Sequence, residues 1–500
     1  MTATATALRP RTDSSLPERL ALSAGATDAG HGMRTEDFPA WLEGRARAHR
    51  FAVQRAPLGE LDGWSFAPGT GDLGHRSGRF FSVIGLSVGV DEGPYRHWEQ
   101  PIILQPECGI LGMLAKEFDG VLHFLMQAKM EPGNRNLLQI SPTVQATRSN
   151  YSKVHAGAGV KYLEHFAGPA RGQVLTDVLQ SEHGSWFYRK SNRNMLVETY
   201  GDVRPDDDFC WLTLGQIGEL LKLDNTVNMD ARTVISCFPM GSPGLGAGDA
   251  GVAGEAMHSD AEMQSWFTVE RSRHDLDITR IPLADVRDWE RGETRIGRED
   301  GRYFDVVGVQ VEAGNREVTG WSQPLIEPAD TGVAAFVYRR LHGVPHVLTA
   351  ARVEAGFLET VELGPTVQAT PVNWAHLPAA DRPPFLDLVR NARPEQITYD
   401  VVHSEEGGRF LNAESRYLFV EADEIQAPDQ PPQGFCWVTP EQLNALTGHG
   451  HYVNVQARTL LSCLNSGSVH LSSAMPPSPS SVASPSSVAS PFPPLPSCTR

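Results

Sequence analysis

Two short stretches of the chain concentrate side chains that can transfer protons or bind anions. The first lies around TRSNYSKVHAG and carries, within eight residues, Arg148, Tyr151, Lys153 and His155. The second is SEHGSWFYRKSNRN at 181–194 and carries His183, Arg189, Lys190 and Arg193. Histidine and tyrosine serve as general acids or bases, and guanidinium groups make bidentate contacts to phosphate oxygens. The two stretches predict a site that moves protons on a small anionic ligand.

The chain also contains two copies of one domain. PTVQAT at Pro142–Thr147 recurs at Pro365–Thr370, and the same offset of 223 residues aligns SEHGSWF with SEEGGRF. After a three-residue insertion, VNMDARTVISC at Val227–Cys237 matches VNVQARTLLSC at Val453–Cys463. Extended self-similarity at one offset indicates a repeated domain. We predict a first copy over 36–239 and a second over 261–465.

Three segments fall outside the copies. Residues 1–35 are predicted to be a mobile N-terminal segment. Residues 240–260 include MGSPGLGAGDAGVAGEA and are predicted to be a flexible Gly/Ala-rich linker. Residues 466–500 are rich in Ser and Pro and hold too few large apolar residues to fold, so we expect them to be disordered.

Within a copy, strands precede helices. GILGMLAKEF and VLHFLMQAKME flank Asp119-Gly120, which is a strong hairpin signal. FFSVIGLSVGV, NLLQISPTVQAT and MLVETY are further predicted strands, while WLTLGQIGELLKL and NMDARTVISC have helical spacing. Each copy is therefore predicted to be α+β, with a mixed or antiparallel sheet and helices packed late in the chain.

Composition excludes several classes of function. The chain has 40% apolar and 21% charged residues, and a net charge of −17 without basic runs makes nucleic acid an unfavourable partner. It shows neither an apolar signal-peptide core nor an apolar stretch of membrane-spanning length, which favours the cytoplasm. The six cysteines form no CxxC pair, and the four at matched positions of the copies, Cys210, Cys436, Cys237 and Cys463, are interpreted as small buried residues. Dinucleotide-binding and P-loop glycine motifs are missing, so no such cofactor is expected.

Comparison of the copies points to the first as the working one. Polar residues found in one copy only are better candidates for chemistry than residues shared by both. Tyr151 corresponds to Trp374, and His155 corresponds to Pro378. Each of these features also has a purely structural interpretation. Residues 148–155 could be a solvated loop, and Trp98 and Trp321 could be core aromatics instead of stacking platforms. PTVQAT could be only a strand and turn, and Glu131, which matches Glu354, could have a structural role.

The stretches WEQPIILQPECGILGMLAKEFDGVLHFLMQAKMEPGNRNLLQISPTVQATRSNY and LQSEHGSWFYRKSNRNM resemble the NDP-hexose 2,3-dehydratase family of deoxysugar biosynthesis in antibiotic-producing bacteria. The resemblance covers about residues 36–465. It implies two Nudix-like modules per subunit of a homodimer, each able to bind a dTDP-sugar. It also implies a dTDP-4-keto-6-deoxyhexose substrate, no redox cofactor and a downstream 3-ketoreductase. Neither copy carries a Nudix box, so metal-dependent diphosphate hydrolysis is unsupported.

The implied reaction removes water across C2 and C3 of the sugar. A base takes the C3 proton, which the C4 ketone acidifies, and a general acid protonates the departing C2 hydroxyl. The catalytic candidates are Tyr151 or His155 as base, His183 as acid, and Lys153 and Glu131. The nucleotide-sugar-binding candidates are Trp98, Gln100, Arg148, Asn150, Arg189, Lys190, Arg193, Trp321, Gln323, Arg409 and Arg416. The last four belong to the second copy, which is predicted to be a relict or a second nucleotide site. No metal ligands are assigned.

Three other functions compete with this one. They are a non-catalytic nucleotide-sugar-binding protein, a Nudix-type hydrolase that cuts the diphosphate, and a degenerate scaffold. The polar residues retained in the first copy argue against the scaffold.

Overall fold

The computed structural model describes residues 13–147, 159–168, 171–241, 254–314 and 319–471. In this part of the chain the first copy contributes strands β1 (Ala29–Gly30), β2 (Met33–Arg34), β3 (Phe51–Ala56), β4 (Trp64–Phe66), β5 (Leu73–His75), β6 (Ser82–Val90), β7 (His97–Leu104), β8 (Ile110–Phe118), β9 (Val121–Met130), β10 (Leu138–Ser141), β11 (Val144–Ala146), β12 (Gln173–Ser181), β13 (Ser191–Glu198) and β14 (Phe209–Thr213). The second copy contributes β15 (Leu276–Ile281), β16 (Glu290–Arg291), β17 (Arg295–Gly297), β18 (Phe304–Ala313), β19 (Gly320–Pro328), β20 (Gly332–Leu341), β21 (Val344–Val353), β22 (Val361–Gly364), β23 (Val367–Ala369), β24 (Ile397–Ser404), β25 (Glu414–Glu421) and β26 (Phe435–Val438).

Apart from the short α6, which lies between β23 and β24, the helices lie near the two ends of each copy. Their bounds are α1 (Leu16–Gly25), α2 (Phe38–Ala48), α3 (Leu214–Leu220), α4 (Met229–Ser236), α5 (Asp260–Arg273), α6 (Leu386–Arg390), α7 (Pro440–Thr447) and α8 (Val455–Asn465). Helix α3 begins at Thr213, whose hydroxyl accepts from Gln216 N in a capping box, and α7 begins at Thr439 in the same way. These caps satisfy amide groups that would otherwise lack acceptors at the helix starts.

Each copy builds a seven-stranded mixed sheet. In the first copy the order is β10-β9-β8-β13-β12, with β11 on β8 and β14 on β9, and only the β8–β13 pairing is parallel. The second copy repeats this arrangement with β22-β21-β20-β25-β24, β23 and β26. We call each sheet with its helices a module. The predicted α+β class and the duplication are confirmed, and so is the hairpin, where Asp119 and Gly120 have φ of 50° and 82°.

The modules are joined by exchanged strands. Strand β15 of the second copy pairs antiparallel with β6 of the first, and β3 of the first pairs antiparallel with β18 of the second. Each smaller, five-stranded sheet therefore contains one strand from the other copy. A shared apolar core that includes Phe81, Phe187, Phe304 and Phe410 lies between these sheets. The sequence repeats are contiguous, but the folded units interlock.

The segments outside the copies differ in part from expectation. The N-terminal segment was predicted to be mobile, yet α1 packs Leu16 and Leu20 into the core of the first module. In the predicted tail, Val469 and Leu471 are buried in the core of the second module, and the rest of the tail and most of the linker lie outside the described residues. None of the helices in the described ranges is long and apolar enough to cross a membrane.

Four cysteines of the described residues are buried and unpaired, as predicted. They are Cys210, Cys237, Cys436 and Cys463. Burial raises the pKa of the Cys237 thiol, so this side chain stays neutral.

Candidate active site

The loop that carries SEHGSWF crosses into the opposite module. Gly356 N donates to Gly184 O at 2.7 Å, and in the equivalent contact Gly133 N donates to Gly407 O at 2.7 Å. Because of this crossing, His183 of the first copy lies in the second module. Glu406 occupies the position equivalent to His183 in the second copy and faces the acidic side chains of the first module.

The second module contains a cavity of about 750 Å³. Its wall combines residues of β20, β21 and β23 with Trp98, Gln100, His183 and Trp186 from the first copy. Trp98 Nε1 donates to Gln100 Oε1 at 2.8 Å, and Gln100 Nε2 donates to Ser185 O at 2.8 Å. This network fixes the indole at the mouth of the cavity, where Trp374 also lies. The cavity can hold a flat ring and a sugar.

The charged groups of this cavity are paired. His183 Nε2 lies 2.9 Å from Glu405 Oε2, and both residues are buried. Burial favours neutral imidazole, but the bond to Glu405 outweighs it and raises the pKa of His183. Burial likewise opposes ionisation of Glu405, yet the bond from His183 lowers its pKa. Glu354 accepts from Arg352 Nε at 2.6 Å and from Gln368 Nε2 at 2.9 Å. The second module therefore holds matched ion pairs.

The first module holds a different set, which we call the acidic cluster: Glu131, Glu182, Asp230 and Glu406 with Lys190 and Arg409. Glu182 Oε1 accepts from Asn192 Nδ2 at 2.6 Å, and Lys190 Nζ donates to Asn192 Oδ1 at 2.8 Å. Gln145 of PTVQAT donates to Glu131 Oε1 at 2.8 Å. The repeated strand thus orients one acid of the cluster.

Burial and mutual repulsion shift Glu182, Asp230 and Glu406 toward the protonated form. Burial, reinforced by Glu182, raises the pKa of Glu406 to about 7. Burial also raises the pKa of Glu182, and it raises that of Asp230 well above the ordinary value. Burial lowers the pKa of Lys190. Carboxyl groups with such shifts can donate or accept a proton near neutral pH.

Several acceptor atoms of the cluster point at no donor among the described residues. Glu182 Oε2, Glu406 Oε2 and Gln145 Oε1 are buried without a hydrogen-bond partner there. Leaving a buried acceptor unsatisfied costs about 1–3 kcal/mol. A ligand with hydroxyl groups would satisfy these atoms, so they mark a binding position.

Comparison with known proteins shows which family the chain belongs to. The family model for NDP-hexose 2,3-dehydratase matches residues 35–238 and again 260–464. The chain belongs to the NDP-hexose 2,3-dehydratase family. It is therefore a hydro-lyase, and a site that moves protons is what this chemistry requires.

Three relatives carry the name dTDP-4-dehydro-6-deoxy-α-D-glucopyranose 2,3-dehydratase. The protein of Amycolatopsis orientalis is 59% identical over 93% of this chain and 97% of its own length. That of Streptomyces violaceoruber is 50% identical over 88% and 99%, respectively. That of Saccharopolyspora spinosa is 49% identical over 88% and 93%.

In this family member the predicted site residues are distributed unevenly. Arg148, Asn150, Tyr151, Lys153 and His155 lie outside the described residues. Lys190 and Glu131 join the acidic cluster, together with Arg409, whose Nε donates to Gln105 Oε1 at 2.9 Å. Trp98, Gln100 and His183 line the second-module cavity.

The remaining predicted residues form ion pairs, lie exposed or repeat the Trp98–Gln100 contact. Arg193 pairs with Asp177, and Arg416 pairs with Asp400 in the equivalent place on β24 and β25. Arg189 is exposed, and its guanidinium lies over the Tyr188 ring. Trp321 Nε1 donates to Gln323 Oε1 at 2.9 Å, as Trp98 does to Gln100.

Sequence reasoning missed several buried acids of the two modules. Glu182 and Glu405 stand in the SE pair that both copies share, which was treated as a fold motif. Asp230 corresponds to Gln456, so it satisfies the rule that acids present in one copy only are candidates for chemistry. No group of three His, Cys, Asp or Glu side chains in the described ranges is arranged to hold a metal ion.

Proposed function

We propose that the protein eliminates water across C2 and C3 of dTDP-4-keto-6-deoxy-D-glucose at the acidic cluster of the first module. The product is the 3,4-diketo-2,6-dideoxyhexose nucleotide. The observation that carries this placement is the raised pKa of Glu182, Asp230 and Glu406 beside the buried Lys190 and the half-buried Arg409. Elimination needs an acid and a base within one water-poor pocket, whereas Glu405 and Glu354 of the second-module cavity are paired with His183 and Arg352.

The proton for the leaving hydroxyl comes from Glu406 in this proposal. That role was predicted for His183, whose side chain lies in the other module and is bound to Glu405. With a pKa of about 7, Glu406 is substantially protonated at neutral pH and can donate to the C2 oxygen. Glu182, whose carboxyl group interacts electrostatically with that of Glu406, takes part in returning a proton to C2 when the enol becomes the ketone.

The base for the C3 proton is Tyr151 or His155, with Tyr151 favoured. The residues equivalent to Asn150 and Tyr151 in the second copy are Asn373 and Trp374, and both line the second-module cavity. The repeat relationship therefore supports a place for Asn150 and Tyr151 on the wall of the first-module site. Glu182 is the alternative base among the described residues.

Cations complete the proposed site. Lys190 stabilises the enolate oxygen at C4, because its ammonium group is buried beside Glu182 and Glu406. Arg409, together with Arg148 and Lys153, binds the diphosphate. Fixed positive groups in a water-poor site stabilise developing oxyanions strongly, because no solvent has to reorganise.

Isotope exchange tests which residue acts as the base and which acts as the general acid. The protein is incubated with dTDP-4-keto-6-deoxyglucose in deuterium oxide, with a 3-ketoreductase and NADPH to trap the product. Wild type should yield trapped sugar that has lost one water. Glu406→Gln should exchange the C3 hydrogen for deuterium yet lose elimination by about 100-fold or more, while Tyr151→Phe should lose both.

The control is Glu414→Gln, which removes a carboxylate that pairs with Arg135 away from the cluster. It should retain both exchange and elimination. Full elimination by Glu406→Gln, measured as trapped product per minute, would contradict the proposed acid. Release of dTMP would favour the hydrolase, and binding without turnover would favour the binding protein.

The second-module cavity is proposed to be a second, non-catalytic dTDP-sugar site. Its size and the fixed Trp98 indole suit thymine stacked on an aromatic face. Burial opposes ionisation of Glu405, but the bond from His183 lowers its pKa, and Glu354 forms an ion pair with Arg352.

Further properties stay proposals that rest on the family resemblance. They are the Nudix-like character of each module, a homodimer, a cytoplasmic location, and a role in antibiotic deoxysugar biosynthesis with a 3-ketoreductase acting next. The reductase is expected because a 3,4-diketo sugar is labile. Gel filtration with light scattering checks the dimer.

A further inference from the structure

Two buried arginines link the modules in a reciprocal way. Arg232 on α4 and Arg458 on α8 occupy the same position of the repeated ART motif, and both are 0% exposed. Neither forms an ion pair with a carboxylate in the described residues. Each donates to main-chain carbonyl groups instead. One of the carbonyl groups that each arginine binds belongs to the opposite copy.

The carbonyl that each arginine binds precedes an acid of the site. Arg458 Nη2 donates to Ser181 O at 2.5 Å, and Arg232 Nη2 donates to Ser404 O at 2.5 Å. Ser181 is followed by Glu182, and Ser404 is followed by Glu405. A guanidinium of the second copy therefore holds the backbone next to an acid of the first-module cluster.

The rest of each guanidinium is fixed as well. Arg458 Nη1 donates to Val453 O at 2.5 Å, and its Nε donates to Thr233 Oγ1 at 2.8 Å. The planar fork thus spans the start of α8, the middle of α4 and the end of β12, which a flexible ammonium group could not reproduce. Burial of this charge is costly, so a structural role alone would be met more cheaply by apolar residues.

We propose that Arg458 is a positioning residue for the elimination, placing Glu182 through the Ser181 carbonyl and supplying a fixed positive charge beside that carboxyl. The inference rests on the proposed site in the first module. It makes the two copies interdependent, since the second copy positions an acid of the first. Arg232 is the matched residue for Glu405 in the second module.

Electrostatics agree with the geometry. Burial raises the pKa of Glu182, and Arg458 is the first of the charges that oppose this rise. The charged and titratable groups that face Glu182 are Arg458, Lys190, His183, Cys108, Asp230 and Glu406. Those that face Arg458 are Cys237, Glu182 and Glu362.

The pH profile of kcat/KM separates positioning from simple stability. The coupled acids set one limb of the pH profile of kcat/KM. In Arg458→Met the loss of positive charge should move the midpoint of this limb to a higher pH by about one unit. The direction is the same whether Glu182 acts protonated or ionised, because its pKa rises in either case. Arg458→Lys keeps the charge but loses the fork, so the limb should stay while kcat falls about tenfold or more.

Arg232→Lys and Arg232→Met are the matched controls. In both variants this limb of the pH profile of kcat/KM should coincide with that of wild type. An unmoved limb in active Arg458→Met would overturn the inference, and so would equal shifts in the two Met variants. If Glu182→Gln is inactive while the Arg458 variants behave like wild type, only this inference fails. If Glu182→Gln is fully active, the proposed site fails with it.

A milder pair covers the case in which Arg458→Met does not fold. Thr233→Val removes the hydroxyl that orients Arg458 Nε, and Thr459→Val does the same for Arg232. Thr233→Val should lower kcat about threefold to tenfold with little change in Tm, whereas Thr459→Val should not lower it. Equal effects of the two substitutions, or none, would overturn the inference.

Discussion

His183 and Glu405 form a buried ion pair between the two sequence repeats, with Nε2 2.9 Å from Oε2. The pair exists because the SEHGSWF loop of the first copy crosses into the second module. The same crossing brings Glu406 to the first module. One local exchange of loops therefore leaves an ion-paired acid in one module and acids with raised pKa values in the other.

Activity should depend on the protonation of Glu406. Its pKa is raised to about 7, and a general acid must carry its proton. We expect kcat to fall as the pH rises through about 7, measured as trapped product over a pH series. This fall of kcat with rising pH should be absent from the residual activity of Glu406→Gln and should persist in Glu414→Gln. A profile that is flat across this range would contradict the assignment.

The His183–Glu405 pair should make stability depend on pH. The pKa of His183 is raised in the folded state, so its stabilisation is complete below the unfolded value of about 6.5 and is lost as pH rises through the folded pKa. The pKa of Glu405 is lowered, so its contribution requires a pH above about 4.3. The free energy of unfolding of wild type minus that of His183→Gln should therefore shrink from about pH 6 to pH 9.

Removing the carboxylate of the pair, instead of the imidazole, gives the complementary measurement. Glu405→Gln should lower the free energy of unfolding by about 3 kcal/mol, because it leaves a buried imidazole without its carboxylate. The double variant with His183→Gln should lose less than the sum of the two single changes. Additive losses in urea unfolding would show that the two groups do not interact.

Gly133 tests the loop crossing itself. A Cβ at this position would lie 1.6 Å from Phe410 O of the other copy, which is main chain and cannot move aside. Gly133→Ala should therefore destabilise the fold by about 3 kcal/mol or more. Gly44→Ala is the control, since nothing lies within 4 Å of a Cβ there on α2, and it should be neutral or stabilising. Equal Tm values for the two variants would contradict the crossing.

The two proposed nucleotide sites can be counted by calorimetry with dTDP. We expect two sites per chain in wild type. Trp98→Ala should weaken one of them about tenfold or more, because base stacking on an aromatic ring contributes about 1–3 kcal/mol. Trp321→Ala, which removes the equivalent indole, is the comparison and should affect the other site. Two unchanged sites in Trp98→Ala would exclude stacking on that ring.

The sequence alone determined the duplication, the α+β class, the family and the hairpin at Asp119-Gly120. These features are local or comparative: a turn needs positive φ at particular residues, and a repeat is visible in the letters. Comparison of the copies also named Lys190 as a candidate, and it could have named Asp230, whereas Glu131 was a candidate although it matches Glu354.

Only the tertiary structure decided which copy each loop serves. Repeat alignment equates His183 with Glu406 but says nothing about which sheet either side chain faces, because that depends on packing between residues more than 200 positions apart. The strand exchange of β3 and β15 and the contacts of Arg458 and Arg232 have the same origin. The pKa shifts of the acids follow from burial and from charges that only the fold brings together, which is why the chemistry of this site could not be read from residue types alone.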